Sequence, residues 1–442
     1  MNNLSISGSN IITTDLSNSE SNTISDSNNV MESNAESNIT TSESYITTSE
    51  SSDEDVEHES NLDLNHNIIS EYNVIYEIGR GGNSIIWLAY NINNKKFYAL
   101  KVQNPESINE GISEINFVKK LPFDPNVFNN IITSFIEIRN NNKYLISVWD
   151  LHCSNIDNLL RKGDLILSID NIKYIMKQLI IAVEILHKKF NICHCDIKTD
   201  NILIKGINDK DQFVISEYIK NNFNEQYINE KKQFLINKTK IKTNDKMKIR
   251  IDIHRKIMDK IINNDDYNKY SSNSINQKYL KKIEISLADF GLYCEKNEYY
   301  DESFGTRYYQ APEIILMDKC SYPIDIWAIG CTFYELLTNS FLFNPGKDSK
   351  YSRDYYHLCL INDICGEFPS RFLKKTKHYK TFFNSNCTIK NNNRTITPIT
   401  IERDDISSND KTKILQILTQ MLEIDPTKRL TIKNLLNNTF FI

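Results

Sequence analysis

Four side chains in two short motifs have the types and the spacing that phosphoryl transfer requires. Asp196, Lys198 and Asn201 fall within the run HCDIKTDN, and Asp289 begins the run DFG further along the chain. The reaction needs a carboxylate at the attacking hydroxyl, a cation beside the transferred phosphate, and carboxylate or amide oxygens for Mg²⁺. The four residues supply these groups in that order, with Asn201 and Asp289 as the candidate magnesium ligands.

A lysine within an apolar strand adds a second cation. Lys101 lies in the run YALKV, and its aromatic and β-branched neighbours predict a strand over 97–103. A buried ammonium group is costly without a partner. Glu114 follows in 106–121, a stretch with helical spacing of apolar residues, and is the natural counter-ion. Because a lysine paired in this way can hold the α- and β-phosphates of a nucleotide, we assign both residues to the catalytic set.

A glycine-rich turn precedes this strand. Gly79 and Gly81 follow the strand-like run 72–78 and permit a tight hairpin whose backbone N–H groups approach a phosphate without an intervening Cβ. The turn by itself is equally compatible with an ordinary β-turn. The predicted nucleotide-binding residues are Lys101 together with Ile78, Gly79, Arg80, Gly81, Gly82, Asn83, Ser84, Ile85 and Ile86.

The elements that must position these groups change in character along the chain. The first part is rich in strand-like runs, at 72–78, 85–90 and 97–103. The later part is mainly helical, most clearly at 169–188, 325–338, 354–365 and 411–424. A strand-rich small lobe followed by a helix-rich large lobe predicts an α+β fold of two lobes.

Two segments differ from the rest in composition. Residues 1–66 carry 13 acidic groups and no Lys or Arg, with 16 Ser and 11 Asn. Such a segment cannot bury enough apolar surface to offset its ordering entropy, so we expect a disordered acidic tail. Residues 206–282 hold 17 basic and 10 acidic groups. Because acids interleave the bases, we favour a basic spacer insertion over a nucleic-acid-binding segment. The lobes are predicted at 67–152 and 153–442.

Other features exclude several protein classes. No run of about 18 apolar residues marks a membrane-spanning helix, and the N-terminus lacks the pattern of a secretory signal. Nine cysteines without paired spacings suit a reducing compartment better than a disulfide scaffold. The run from Cys193 through His194 to Cys195 has metal-ligand types, but ligands so close together cannot readily close a tetrahedral site by themselves. We therefore expect no metal there, and an intracellular protein of the cytoplasm or nucleus.

The order of these parts resembles that of eukaryotic-type protein kinases. Three further matches are the run APE, which ends at Glu313, the run DIWAIG, which begins at Asp325, and Arg429, which in kinases pairs with the glutamate of APE. The resemblance covers 72–442 and implies the protein-kinase-like fold, with a small antiparallel β-rich N-lobe and a large helical C-lobe. It also implies ATP and Mg²⁺ as cofactors. Lys198 resembles the serine/threonine class, so the implied reaction is transfer of the γ-phosphate of ATP to a protein Ser or Thr hydroxyl.

Among kinases, the chain is most similar to the SR-protein kinase family. Ser84 replaces the third glycine of the turn, and Trp87 follows at the family's spacing. Cys195 stands where the catalytic loop usually has arginine, and a long spacer separates that loop from the DFG run. Residues 351–373 resemble the helix-and-loop insert of this family.

The resemblance implies a protein substrate whose Ser/Thr acceptor lies in an Arg/Ser-rich segment. Two departures leave that substrate open: Gln310 stands where many relatives carry arginine, and Tyr356 occupies one acidic position of the insert, although Asp354 and Asp363 remain. Another kinase of the cyclin-dependent and mitogen-activated group is the alternative. A pseudokinase scaffold is a further alternative, disfavoured because no catalytic residue is missing. We expect a monomer without nucleic-acid or membrane partners.

Overall fold

The computed structural model describes most of the chain after the acidic N-terminal segment. The described residues are 68–441 except 92, 95, 122–126, 140, 153, 163–165, 206–282, 299–303, 347–348 and 393–396. They all belong to one compact unit, Ser60–Ile442. The predicted tail 1–66 and insertion 206–282 lie outside the described residues. These two segments and the lobe bounds 67–152 and 153–442 therefore stay predictions.

A six-stranded antiparallel sheet forms the first part of the described chain. Its strands are β1 (Ile68–Ile69), β2 (Tyr72–Arg80), β3 (Ser84–Asn91), β4 (Phe97–Gln103), β5 (Ile131–Arg139) and β6 (Asn142–Asp150). They lie in the order β1-β2-β3-β4-β6-β5, and every neighbouring pair is antiparallel. Side chains on a strand alternate between faces, so Leu100 and Val102 of β4 point to one apolar core with Ile146 and Val148 of β6. Helix α1 (Ile108–Val118) connects β4 to the β5–β6 hairpin.

The remainder is mainly helical. Its helices are α2 (Ile156–Lys162), α3 (Ile169–Ile185), α4 (Pro312–Ile315), α5 (Pro323–Thr338), α6 (Arg353–Cys365), α7 (Ser370–Leu373), α8 (Tyr379–Phe382), α9 (Ser408–Met421) and α10 (Ile432–Leu436). Five short strands accompany them: β7 (Ser154–Asn155), β8 (Ile192–Cys193), β9 (Ile202–Ile204), β10 (Ile285–Leu287) and β11 (Cys294–Glu295). The predicted α+β arrangement of a sheet-rich and a helix-rich part is confirmed.

Helix ends were the least accurate part of the sequence prediction. The predicted helix 169–188 ends at Ile185 and continues as a π-helical turn, Leu186–Phe190. The predicted helix 411–424 begins earlier, because the Ser407 hydroxyl accepts a hydrogen bond from the Asp410 backbone N–H and so caps the first turn of α9. Apolar periodicity locates a helix, whereas a capping side chain decides where it begins.

A buried ion pair connects α4 to the segment before α10. The two terminal nitrogens of the Arg429 guanidinium donate to Glu313, at 2.6 and 2.9 Å, and both side chains are buried. The predicted pairing of these residues is confirmed. Arg429 also donates to the Pro323 carbonyl at 2.8 Å and lies over the Trp327 ring. The contact therefore positions the start of α5, which carries Asp325.

His357 on α6 is a buried imidazole in apolar surroundings. The side chain is fully buried beside the Phe343 ring, and neither ring nitrogen has a hydrogen-bond partner among the described residues. Burial, and secondarily the positive charge of Arg307, lowers the pKa of His357 to about 3. The folded protein therefore holds this ring neutral, whereas the unfolded chain protonates it near its ordinary value.

We predict that His357 makes the fold acid-sensitive. The contribution of the neutral His357 ring to the free energy of unfolding is fully present above the ordinary histidine pKa. It falls by about 1.4 kcal/mol per pH unit as the pH drops from that value toward 3. Replacement by leucine (His357→Leu) removes the contribution of this residue to the pH dependence of the free energy of unfolding. Urea unfolding of both proteins at pH 7 and pH 5 measures it, with the exposed His378→Leu as the matched control. Equal slopes for the His357→Leu and wild-type proteins would contradict the prediction.

Candidate active site

The HCDIKTDN run forms a loop between β8 and β9, and its side chains converge on Asp196. Lys198 Nζ lies 2.9 Å from Asp196 Oδ2, and Asn201 Nδ2 donates to the same oxygen at 3.0 Å. The Asn201 amide also donates to the Asp196 backbone carbonyl at 2.8 Å. The carboxylate is buried, with a residue exposure of 7%, so these contacts fix its orientation. A carboxylate held beside an ammonium group is suited to accept a hydroxyl group between them.

A threonine hydroxyl already occupies such a position. Thr306 Oγ1 donates to Asp196 Oδ1 at 2.7 Å and accepts from Lys198 Nζ at 2.6 Å, and the Thr306 backbone N–H donates to Asp196 Oδ1 at 2.9 Å. The sequence did not indicate a role for Thr306 in the site, because no spacing in the chain connects it with Asp196, 110 positions earlier.

The backbone of the catalytic loop is held by a carboxylate from α5. Asp325 Oδ2 accepts the His194 backbone N–H at 2.8 Å, and Oδ1 accepts the Cys195 backbone N–H at 3.0 Å. Asp325 also contacts His187 Nε2 at 2.8 Å and is fully buried. Cys195 adopts a left-handed φ of +70°, which is strained for a non-glycine residue. The two hydrogen bonds from Asp325 therefore hold the loop in a conformation that it would not adopt alone.

The electrostatics of Asp325 suit this role. Burial by itself would raise the pKa of Asp325, but the hydrogen bond from His187, the nearby histidines and the Cys195 N–H hold the pKa below its ordinary value. The Asp325 carboxylate stays ionised, so both of its oxygens remain hydrogen-bond acceptors. The sequence showed Asp325 only as part of a matching run, and it gave no signal for His187.

Lys101 forms the second cluster of the site. Its ammonium group donates to both oxygens of Glu114, at 3.0 and 2.8 Å, and to Asp289 Oδ1 at 3.1 Å. Burial alone would lower the pKa of Lys101, but the carboxylates of Asp289 and Glu114 raise it above its ordinary value, so the lysine is charged. Asp289 has a side-chain exposure of 46%, so one face of this cluster is open to a ligand.

Short-strand pairing brings the two clusters together across a long stretch of chain. Strand β9 pairs antiparallel with β10, and Ile202 is the partner of Leu287. Directly beyond that pair the Ala288 N–H donates to the Asn201 carbonyl at 3.0 Å. Asn201 and Asp289 therefore lie at one end of the same two-stranded ladder, although 88 positions separate them in the sequence.

Phe290 anchors the DFG run in the core. The ring is fully buried and lies 5.0 Å from the His194 ring and 5.4 Å from the Phe117 ring, measured between centroids. Phe117 lies on α1, the helix that carries Glu114. The same ring thus packs against the catalytic loop and against α1, while Asp289 beside it adopts a φ of +64° and turns toward Lys101.

The glycine-rich turn lies at the end of β2 and the start of β3. Its tip is held to Asn104: the Asn104 side chain donates to the Gly82 carbonyl at 3.0 Å, and the Asn104 N–H donates to the Asn83 carbonyl at 2.9 Å. In the β3–β4 register, Ile86 is the partner of Lys101. A Cβ on Gly82 would meet nothing within 4 Å, so the tip of the turn is open on that side.

Comparison with known proteins identifies this arrangement. The family model described as the protein kinase domain matches residues 72–220 and 272–441. The chain is a member of the protein kinase family. The two-lobed kinase fold predicted from the sequence is thereby confirmed.

Named relatives of this kinase indicate the class of protein kinase to which it is similar. A protein of Acanthamoeba polyphaga mimivirus, provisionally named a serine/threonine-protein kinase, is 27% identical over 411 residues, covering 71% of this chain and 75% of that protein. The serine/threonine-protein kinase SRPK of Physarum polycephalum is 24% identical over 390 residues, covering 84% and 86%. The serine/threonine-protein kinase SKY1 of Saccharomyces cerevisiae is 34% identical over 182 residues, covering 40% of this chain and 24% of that protein.

The chain is a serine/threonine protein kinase similar to the SR-protein kinases, as the sequence predicted. In the described part of this kinase, no helix has both the length and the apolar character needed to cross a bilayer.

We predict that the Thr306 hydroxyl supports catalysis. Thr306→Val keeps the side-chain shape but removes the hydroxyl that contacts Asp196 and Lys198. Loss of a hydrogen bond to a charged group is worth about 1.5–3 kcal/mol, so kcat should fall about 10- to 100-fold. Thr306→Ser restores the hydroxyl and serves as the matched control, with kcat within about 3-fold of wild type. Steady-state phosphotransfer rates measure both, and wild-type turnover by Thr306→Val would contradict the role.

Proposed function

We propose that this kinase transfers the γ-phosphoryl group of ATP through Asp196, Lys198, Lys101, Glu114, Asn201 and Asp289. The observation that carries the proposal is the hydrogen bond between the Ala288 N–H and the Asn201 carbonyl, with the β9–β10 pairing behind it. That contact puts the hydroxyl-binding cluster around Asp196 next to the lysine–carboxylate cluster around Lys101. A phosphoryl donor and a hydroxyl acceptor could therefore meet between them.

In this mechanism Asp196 orients the attacking Ser/Thr hydroxyl and accepts its proton. Lys198, 2.9 Å from that carboxylate, stabilises negative charge on the transferred group. Lys101, held by Glu114, binds the α- and β-phosphates, and the backbone of 78–86 covers them from the adjacent β3 edge. These groups orient the reactants, accept a proton and stabilise negative charge, so the proposed mechanism uses no covalent intermediate with the protein.

The candidate metal ligands fit Mg²⁺. Asn201 uses its amide nitrogen toward Asp196, so the side chain presents Oδ1 as an oxygen donor, and Asp289 adds an exposed carboxylate. Oxygen donors of this kind are the ligands that Mg²⁺ takes together with substrate phosphates. Bound there, the ion would neutralise charge on the phosphates.

Replacement of the proposed base tests the assignment. Asp196→Asn should lower kcat by about 10²- to 10⁴-fold, because the amide cannot accept the hydroxyl proton. ATP binding, measured by calorimetry, should stay within about 3-fold of wild type, since Asp196 does not belong to the nucleotide-binding set. The exposed Asp404→Asn is the matched control and should keep full activity. Near-wild-type turnover by Asp196→Asn would refute the proposed base.

We further propose that the protein substrates are Arg/Ser-rich. The similarity to SR-protein kinases supports this class, and Asp354, an acid of the resembling insert, lies in the first turn of α6. Asp354 forms an ion pair with Arg307, and the two side chains are 31% and 25% exposed. The second acid, Asp363, is buried. An arginine of the substrate would therefore compete with Arg307 for Asp354. The predicted monomeric state and the cytoplasmic or nuclear location stay predictions.

This competition predicts opposite effects of two neutral substitutions. Arg307→Gln should lower the KM for an Arg/Ser peptide about 2- to 5-fold by freeing Asp354, and Asp354→Asn should raise it by a similar factor. The same peptide with glutamine in place of arginine is the control, and its KM should not separate the two variants. Shifts in one direction for both variants would contradict arginine docking at Asp354. A preference for a proline-directed peptide would instead favour another branch of the cyclin-dependent and mitogen-activated group.

A further inference from the structure

Four cysteines from three segments meet behind the catalytic loop. The sulfur atoms of Cys193, Cys294 and Cys320 all lie within 4.8 Å of one another, and the three side chains are buried. Cys195 Sγ lies 3.2 Å from Cys294 Sγ and 3.7 Å from Cys320 Sγ. Sequence separations of 99 and 125 residues divide Cys195 from these two partners. The cluster is therefore a product of the fold.

Backbone contacts of the surrounding segments bring these sulfurs together. Cys193 and Cys294 are direct partners in the β8–β11 ladder. The Cys320 N–H donates to the Glu298 carbonyl at 2.9 Å, and the Asn297 N–H donates to the Cys320 carbonyl at 2.8 Å. Together with the hydrogen bond from the Cys195 N–H to Asp325, these contacts place all four residues without help from their side chains.

The structure joins Cys294 and Cys320 as a disulfide. This bond departs from the sequence expectation of cysteines without a disulfide. The Cα atoms of the pair are 7.1 Å apart, beyond the usual range for disulfides. Two further thiols lie against the pair, which a simple structural disulfide does not require. The backbone spacing and the number of sulfurs fit a shared ligand better than a single covalent bridge.

The dimensions suit a tetrahedral metal ion. Zinc–sulfur bonds of about 2.3 Å place the four sulfurs of such a site about 3.8 Å apart. Cys195 Sγ lies 3.7 Å from Cys320 Sγ, close to that edge, and 3.2 Å from Cys294 Sγ, which is shorter than the edge, and the sulfurs of Cys193, Cys294 and Cys320 lie within 4.8 Å of one another. Cysteine thiolates are soft ligands, and a site with four of them selects zinc or a similarly soft ion over magnesium. A reducing compartment, which the cysteine usage favours, keeps thiols available for a metal.

We propose that a thiol reductant of a reducing compartment reduces the Cys294–Cys320 bond to two thiols. Cys193, Cys195, Cys294 and Cys320 then release their thiol protons and bind one structural Zn²⁺ ion that fastens the catalytic loop to β11 and to the segment before α5. Four protein ligands close the coordination sphere, so the ion has a structural role and does not activate a substrate. The local run Cys193-His194-Cys195 cannot close a tetrahedral site by itself, and the missing ligands come from Cys294 and Cys320, which lie far away in the sequence. His194 is not a ligand, because its Nε2 faces the Ala288 carbonyl at 3.2 Å.

The position of the proposed ion would let it restrain the loop that carries Asp196. Cys195 directly precedes Asp196 and has the left-handed φ of +70°. A metal bond at Cys195 Sγ would restrain the same residue whose backbone N–H is held by Asp325. The proposed ion therefore adds a second restraint on the catalytic loop, and this holds whatever the substrate of the kinase is.

Metal content of the full-length protein tests the site. The chain is purified with a reductant and without chelator, and zinc is counted by mass spectrometry of the metal. We expect one zinc per chain in the wild-type protein and less than about 0.2 in Cys294→Ser and in Cys320→Ser. Cys387→Ser, a cysteine outside the cluster, is the matched control and should keep one zinc. Cobalt-loaded wild-type protein should show the thiolate charge-transfer absorption of a tetrahedral sulfur site, and the two serine variants should lack it.

Wild-type protein alone decides the question if the serine variants do not fold. The protein is purified with a reductant and its zinc content is measured. The same protein is then denatured, and its thiols are counted. One zinc with all nine cysteines as thiols supports the site, and a chelator should then lower the unfolding temperature. Seven thiols without zinc would show that Cys294 and Cys320 form only a disulfide, and nine thiols without zinc would show only a thiol cluster. Either result, or full zinc retention by both serine variants, overturns the proposal.

Discussion

The catalytic loop depends on one buried carboxylate. Asp325 is fully buried and uses both oxygens to accept the backbone N–H groups of His194 and Cys195, directly before the proposed base Asp196. A buried charge is tolerated only when its oxygens are fully hydrogen-bonded, so the carboxylate and the loop require each other. The start of α5, which carries Asp325, is in turn held through the Pro323 carbonyl by Arg429 of the buried ion pair with Glu313.

The rest of the site follows from how this loop is joined to the DFG run. Pairing of β9 with β10 and the contact from Ala288 to Asn201 bring Asp289 to the end of the loop. Packing of Phe290 against α1 then connects the same region to Glu114 and Lys101. One backbone ladder and one aromatic side chain thus connect the two clusters. Because strand pairing and packing make this connection, the sequence can carry a long segment, 206–282, between the two paired strands.

Cys195 connects the established activity with the proposed metal site. This residue stands where the resembling kinases usually have arginine, so its side chain is available for another purpose. Its backbone N–H is held by Asp325, and its sulfur lies beside Cys294 and Cys320. With the proposed ion bound, the catalytic loop would therefore be restrained at one residue from two directions. A strained φ at that position is sustained because the surrounding contacts over-determine it.

The sequence alone determined the chemistry and the class of fold. The types and order of Lys101, Glu114, Asp196 and Asp289 indicated phosphoryl transfer. Apolar periodicity and β-branched runs located β2, β3, β4 and the long helices to within a few residues, but they did not locate β5 and β6. Such features are local, because they depend on side-chain type and on the repeat of a helix or strand. The π-helical turn after α3 and the start of α9 were missed, since side-chain capping and local packing decide them.

Only the tertiary structure decided which distant residues meet. No spacing in the chain indicates that Asp325 accepts the N–H groups of the catalytic loop, that Thr306 contacts Asp196, or that Cys294 and Cys320 lie beside Cys195. Each of these contacts joins residues about 100 or more positions apart, and each depends on the path of the backbone between them. A contact of that kind is set by the packing of whole elements, which single-chain periodicity does not encode.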